Sequence, residues 1–226
     1  MSHYRVAVFY HEGDDISRLL APYSENDKSL FIFEPVAKEK LAENWEKFKA
    51  ENPSWKYNDW IDEFYSWDPE SGDYGHRYNP NARWDWWSKM YIEDLFELKD
   101  PDAEYKEQIL KSEVDFFAVP EEIKEAGEKA LAKEWKMFST EGDGYYSEKY
   151  YLERYGDQET YIRERMRPMM PYAFITPDGV WHAPGIVGWF GMSDETADSA
   201  ERYWNEWREF IEHGEDCYVT LVDCHI

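Results

Sequence analysis

A chain of 226 residues with 49 acidic and 25 basic side chains has a net charge of −24, which argues against unassisted binding to DNA, RNA or an anionic membrane. Aromatic residues make up 19% and each buries roughly 150–250 Å², so the core is expected to be built from rings, and a disordered chain is excluded. So large a charge costs compact-state stability through self-repulsion, and its favoured partners are basic surfaces and cations.

The start, "MSHYRVAVFYHEGDD", lacks the basic and apolar regions of a secretory signal. No apolar run reaches the ~18–20 residues needed to cross a bilayer, so a cytoplasmic protein without a membrane is expected. "HYRVAVFYH" reads as a first strand and "SLFIFEPV" as a short second one closed by Pro35. "AKEKLAENWEKFKAEN" predicts an amphipathic helix with Leu41, Trp45 and Phe48 on one stripe, ended by Pro53. A second helix carries Trp60, Ile61, Phe64 and Tyr65 at helical spacing, with Ser54 as its expected cap.

The turn-rich run "DPESGDYGHRYNPN", Asp68 to Asn81, reads as a loop. "RWDWWSKMYIEDLFELK" fits strand or helix, and its pattern does not choose. "DAEYKEQILKSEVDFF" and "PEEIKEAGEKALAKEWKMF" predict helices, with Pro120 in a first turn. "EGDGYY" is a break, and "SEKYYLERYGDQETYIRERMR" is helical with an interruption at Gly156. "YAFITPDGVWHAP" predicts a hairpin around Pro177-Asp178-Gly179. "GIVGWFGMS" is a glycine-rich connector that lets Trp189 and Phe190 pack, since it lacks the spacing and lysine of a phosphate loop. A long helix with Tyr203, Trp204, Trp207, Phe210 and Ile211 inward stops at Gly214, and "CYVTLVDCHI" is a terminal strand. Cys217 and Cys224 lie on that strand, roughly 23 Å apart at ~3.3 Å per residue and on opposite faces, so they do not pair with each other.

Strands at both ends and helices between them predict an α+β protein. Its antiparallel sheet is formed by N- and C-terminal strands around a largely helical middle region. The chain reads as a single domain, 1–226, with a helical insertion at about 102–167.

Three groups of residues invite a functional reading. The first is the Trp84, Asp85, Trp86, Trp87 run: if extended, Trp84 and Trp86 share one face and Asp85 and Trp87 the other. Its rings suit core packing or a protein-docking face. Base stacking is disfavoured, because acidic residues surround the run and only Arg83 and Lys89 would meet a phosphate. The second group is carboxylates: Asp59, Asp62, Glu63, Asp68, Glu70 and Asp73 occur between Tyr57 and Tyr74 without a Lys or Arg, and Glu93, Asp94 and Glu97 follow later. They are either a solvated face or an anionic patch that fits a basic groove. The third group is His3, Asp223 and His225, which meet if the terminal strands pair. A metal site there is a weak alternative to packed or hydrogen-bonded polar residues, because no further spaced ligand or helical histidine pair accompanies them. His182 reads as a lone packed histidine. No nucleophile elbow and no placed base for either cysteine is found, so no catalytic residue and no cofactor is assigned.

Five segments carry a resemblance. "SHYRVAVFY", "LAPYSEN", "YNPNARWDWW", "PDGVWHAPGIVGWFGMSDE" and "TLVDCHI" are collinear with, and similar to, a family of small uncharacterised phage and prophage proteins. These have an Asn-Pro-x-x-Lys-Trp-Asp-Trp-Tyr motif and end in Val-Asp-Cys-His-Ile. Where that family has Gly-Gly-Arg-Trp, this chain has Lys89-Met90-Tyr91-Ile92, so a ligand site formed by that segment in relatives would be altered here. The resemblance implies a phage origin, and with it an accessory role against host defence. The expectation is an acidic inhibitor that binds a basic, nucleic-acid-handling defence effector, such as a CRISPR effector, and blocks its channel. The alternatives are a small-ligand, nucleotide- or metal-binding enzyme and a phage structural or assembly protein.

Overall fold

The computed structural model describes residues 3–100, 102–103, 106–119, 121–138, 147–187 and 192–226. In chain order lie β1 (His3–Tyr10), α1 (Ile16–Leu20), β2 (Ile32–Pro35), α2 (Lys38–Glu51), α3 (Tyr57–Phe64), β3 (Ser66–Asp68), β4 (Asp73–Tyr78) and β5 (Trp86–Met90). Then come β6 (Glu97–Leu98), β7 (Ile109–Leu110), β8 (Val114–Asp115), α4 (Glu121–Lys136), α5 (Glu148–Tyr155) and α6 (Gln158–Arg165). The chain closes with β9 (Ala173–Ile175), β10 (Trp181–His182), α7 (Ala197–His213) and β11 (Tyr218–His225). The fold is α+β, in two compact units: Met1–Leu19 with Trp86–Ile226, and Leu20–Asp85.

In the larger unit, the β-branched and aromatic residues of β1 and β11 pair antiparallel along their whole length, from His3 opposite His225 to Tyr10 opposite Tyr218. This is the sheet expected from the two ends of the chain. Its order is β10-β9-β1-β11-β5, with β7 continuing the β5 edge of β11. β9 joins β1 in parallel, so the sheet is mixed rather than wholly antiparallel. The β9–β10 hairpin matches the sequence reading. Across one face lies α7, whose Tyr203 and Trp207 pack with Ala7, Phe9, Phe174, Val219 and Leu221. Thr196 and Ser199 close a capping box at its start. Gly214 ends it with an ordinary negative φ, and the glycine is required by closeness: a Cβ there would stand 2.4 Å from the Phe210 carbonyl oxygen.

Residues 102–117, expected as a helix, form β7, a 3-10 turn and β8 among their described positions. Val114 and Phe116 are buried at a spacing of two, and β7 and β8 find partners in β11 and β6. Strand pairing across the chain outcompetes the local helical preference. The helices from 121 onward do form, although α4, expected as one continuous helix, is kinked at Gly127, whose φ of +58° and ψ of 169° are not helical. Leu131, Trp135, Tyr151 and Tyr161 share a small core of their own, and Gly156, at φ +74°, separates α5 from α6 as expected. Pro120, the 141–146 break and the Trp189–Phe190 pair lie outside the described residues.

In the unit Leu20–Asp85, α2 and α3 bury Leu41, Trp60 and Ile61 with Trp45, Phe48, Trp55, Tyr65 and Tyr74 around them. α3 starts at Lys56 rather than at a Ser54 cap, and no side chain caps it. The stretch 68–81, expected as a loop, contains β4, the middle strand of the sheet β2-β4-β3. Its residues are mostly exposed, so no alternation of apolar residues marked it as a strand.

Candidate functional site

Burial of Trp60 and Ile61 sets the roll of α3. One helical turn apart on the opposite stripe, Asp59, Asp62 and Glu63 therefore point to solvent. The adjoining hairpin turns at Gly72, whose φ of +74° suits only glycine without strain. Asp68 is committed to this turn: its carboxylate accepts from the Ser71 N–H at 3.0 Å, from Ser71 Oγ and from Arg77 at 2.6 Å. The Ser71 amide, ahead of the hydroxyl, holds its carboxyl below the usual range. Asp73 sits opposite Asp68 in the hairpin, and Glu70 stands exposed at its tip.

Trp67 and Tyr74 are cross-strand partners with rings 5.0 Å apart. The Tyr74 hydroxyl donates to Asp62 at 3.3 Å, joining hairpin to helix. Burial first, then the Asp62 charge, raises the Tyr74 phenol above its ordinary value. A cavity of about 430 Å³ opens here, lined by Val36, Lys38, Leu41, Tyr57, Trp67, Gly72, Asp73 and Tyr74. Trp67 is 51% exposed and Tyr57 40%. The carboxylates are legible in the sequence, whereas this cavity is not. An unexplained Trp in a turn-rich, acidic run was the available signal.

The other singled-out residues do not form one surface. Trp84 is buried and bridges to Ser24, and the Asp85 backbone carbonyl accepts from Asn26 at 3.0 Å. The strand begins only at Trp86, so the expected common face of Trp84 and Trp86 does not exist. Trp86, 44% exposed, and Trp87 point to opposite faces of β5, opposite His225 and Cys224 respectively. Glu93 accepts from the Lys106 N–H at 3.3 Å and Asp94 caps its own turn at the Tyr91 N–H. Glu97 is exposed on β6.

The terminal strands do bring His3, Asp223 and His225 together. His3 Nδ1 lies 2.8 Å from Asp223 Oδ2, Trp86 stacks on His225 at 5.2 Å, and His3 stands edge-on to both rings. Ser88 is opposite Asp223 on β5, and Arg5 opposite Asp223 on β1. Among the described residues, no group of three or more His, Cys, Asp or Glu side chains is placed to hold a metal ion. His182 stacks on Phe174 at 4.4 Å and bonds Glu206 at 3.0 Å, as a packed histidine does. Both cysteines are free and buried. No helix among the described residues is long and apolar enough to cross a membrane.

Compared with protein-family models, with curated proteins and with solved structures, the chain matches none.

Proposed function

We propose that this protein is a non-enzymatic inhibitor that docks on the basic nucleic-acid groove of a host protein. The carboxylates of α3 and the β3–β4 hairpin would take the place of phosphates. The observation that carries this reading is the unit Leu20–Asp85. There, Asp59, Asp62, Glu63 and Glu70 are exposed beside exposed Tyr57, Phe64 and Trp67, with no Lys or Arg between Tyr57 and Tyr74. Carboxylates supply steering and exclude wrong partners, while exposed rings supply the short-range contacts that dominate interface energetics. The resemblance to phage proteins points to a defence effector as the host protein.

Titration calorimetry against a purified basic effector tests it. Affinity is expected to fall at least ~10-fold as salt rises from ~0.05 to ~0.5 M. The triple change Asp59→Asn, Asp62→Asn, Glu63→Gln should weaken binding mainly through the association rate. Binding indifferent to salt and to these changes counts against the reading.

One observation favours a second reading, a small-ligand or catalytic site. Asp223 holds the half-exposed His3 by Nδ1, which leaves Nε2 as the proton-accepting nitrogen. A rise of several degrees in melting temperature with a nucleotide, abolished by His3→Gln, would support it.

A further inference from the structure

The cavity of about 430 Å³ in the unit Leu20–Asp85 has the composition of a cation cage, and we propose that it receives the guanidinium group of a single arginine side chain from the basic partner. This inference deepens the docking reading and rests on it for the identity of the partner, but not for the chemistry of the site.

Three rings line the cavity: Tyr57 from the start of α3, Trp67 from β3 and Tyr74 from β4. Each ring has a ring or hydrogen-bond neighbour. Tyr57 stands edge-on to Trp45 at 5.6 Å, and Trp67 edge-on to Tyr74 at 5.0 Å. Tyr74 is tethered through its hydroxyl to Asp62. Leu41 and Val36 complete an apolar lining. Aromatic rings attract cations through their faces.

The charge around it selects the sign. Asp73 lines the cavity, Asp62 lies one hydrogen bond behind Tyr74, and Asp59 is exposed on the same helix. An anion is repelled by this set. A neutral apolar side chain would fill the rings and make no use of the negative charge around them.

Arginine fits better than lysine for two reasons. Its planar guanidinium stacks on a ring face while its edge presents paired N–H donors to a carboxylate. It also sheds water more readily than an ammonium group. Lys38 lies on the lining as well, and its ammonium opposes any incoming cation. Removing that charge is therefore expected to tighten binding, a gain that a purely structural role for the residue does not predict.

The experiment is calorimetric titration of the full chain with a short Gly-Arg repeat peptide and its Gly-Lys counterpart, at low and at high salt. The arginine peptide should bind several-fold more tightly than the lysine peptide, and the preference should persist at high salt, where long-range attraction is screened. Trp67→Ala should weaken the arginine peptide about 10-fold and erase the preference. Asp73→Asn should weaken it and Lys38→Gln strengthen it, each with a melting curve close to the parent. Equal binding of the two peptides, or an affinity untouched by Trp67→Ala in a folded protein, overturns the cage. The two proposals fail separately. If salt-sensitive effector binding survives Trp67→Ala unchanged, the cage falls and the docking reading stands. If the arginine peptide discriminates as expected while no basic effector binds, the cage stands and the inhibitor reading falls.

Discussion

Lys111 is the clearest case of a residue whose role only its surroundings define. Its side chain is 7% exposed in a protein rich in carboxylates, yet its ammonium forms no ion pair among the described residues. Nζ instead donates to the carbonyls of Phe210 at 3.2 Å and Gly214 at 2.6 Å, over the face of the Phe210 ring at 5.0 Å. It closes the last turn of α7, where carbonyls have no helical partner and negative partial charge accumulates. Burial pulls its pKa below the ordinary lysine value, against the opposing pull of Cys217, Asp216 and Glu215. Lys111→Met keeps the stem and abandons the carbonyls, so it should cost about 2 kcal/mol in a denaturant titration. The sequence around Lys111 shows an ordinary basic residue in an acidic run, because its partners lie about a hundred positions away.

Elements tell the same story in the unit Leu20–Asp85. α2 and α3 were legible, since their ring-bearing positions recur at helical spacing and proline punctuates them. β4 was not legible, because its one buried position is Gly75. That glycine carries the pairing of β4 with β2: a Cβ there would lie 2.2 Å from the Glu34 carbonyl oxygen and 2.7 Å from the Phe33 ring. Gly75→Ala should therefore lower stability by ~1–3 kcal/mol through overpacking. Gly72→Ala meets open space, with a φ of +74° as its only obstacle, and should cost less, about 1 kcal/mol. Thermal melts of the two variants give the order directly. A reversed order would mean that the hairpin turn, rather than the β2–β4 approach, holds this sheet.

Across the whole molecule, burial of phenols and thiols sets the response to alkali. Desolvation raises Tyr10, Tyr161 and Tyr203 above the ordinary phenol value and both cysteines above the ordinary thiol value, Cys217 to about 11. Groups with raised folded pKa values keep their protons while the unfolded chain loses them. Their stabilisation is complete below the ordinary thiol and phenol values and is lost as pH rises through them toward the folded ones. Lys111, shifted the other way, works in the opposite direction. The melting temperature should hold near neutral pH and fall steeply between about pH 9 and pH 11. The same burial predicts that neither thiol reacts with a disulfide reagent until the chain is unfolded.

Alone, the sequence determined the terminal strand pair, α2, α3, α7 and the β9–β10 hairpin, because each writes its own period or turn chemistry into a short run of residues. It also determined the sign of the surface, which needs only counting. The tertiary structure decided what depends on distant partners. It turned residues 102–117 into strands by offering β11 and β6 as neighbours, and it brought Trp86 on β5 to the His3, Asp223 and His225 end that the terminal strand pair already implied. It also folded a turn-rich acidic run so that Tyr57, Trp67 and Tyr74 line a single cavity. Local preference fixes what a segment can be, whereas pairing and close packing, summed over contacts remote in the chain, select what it becomes.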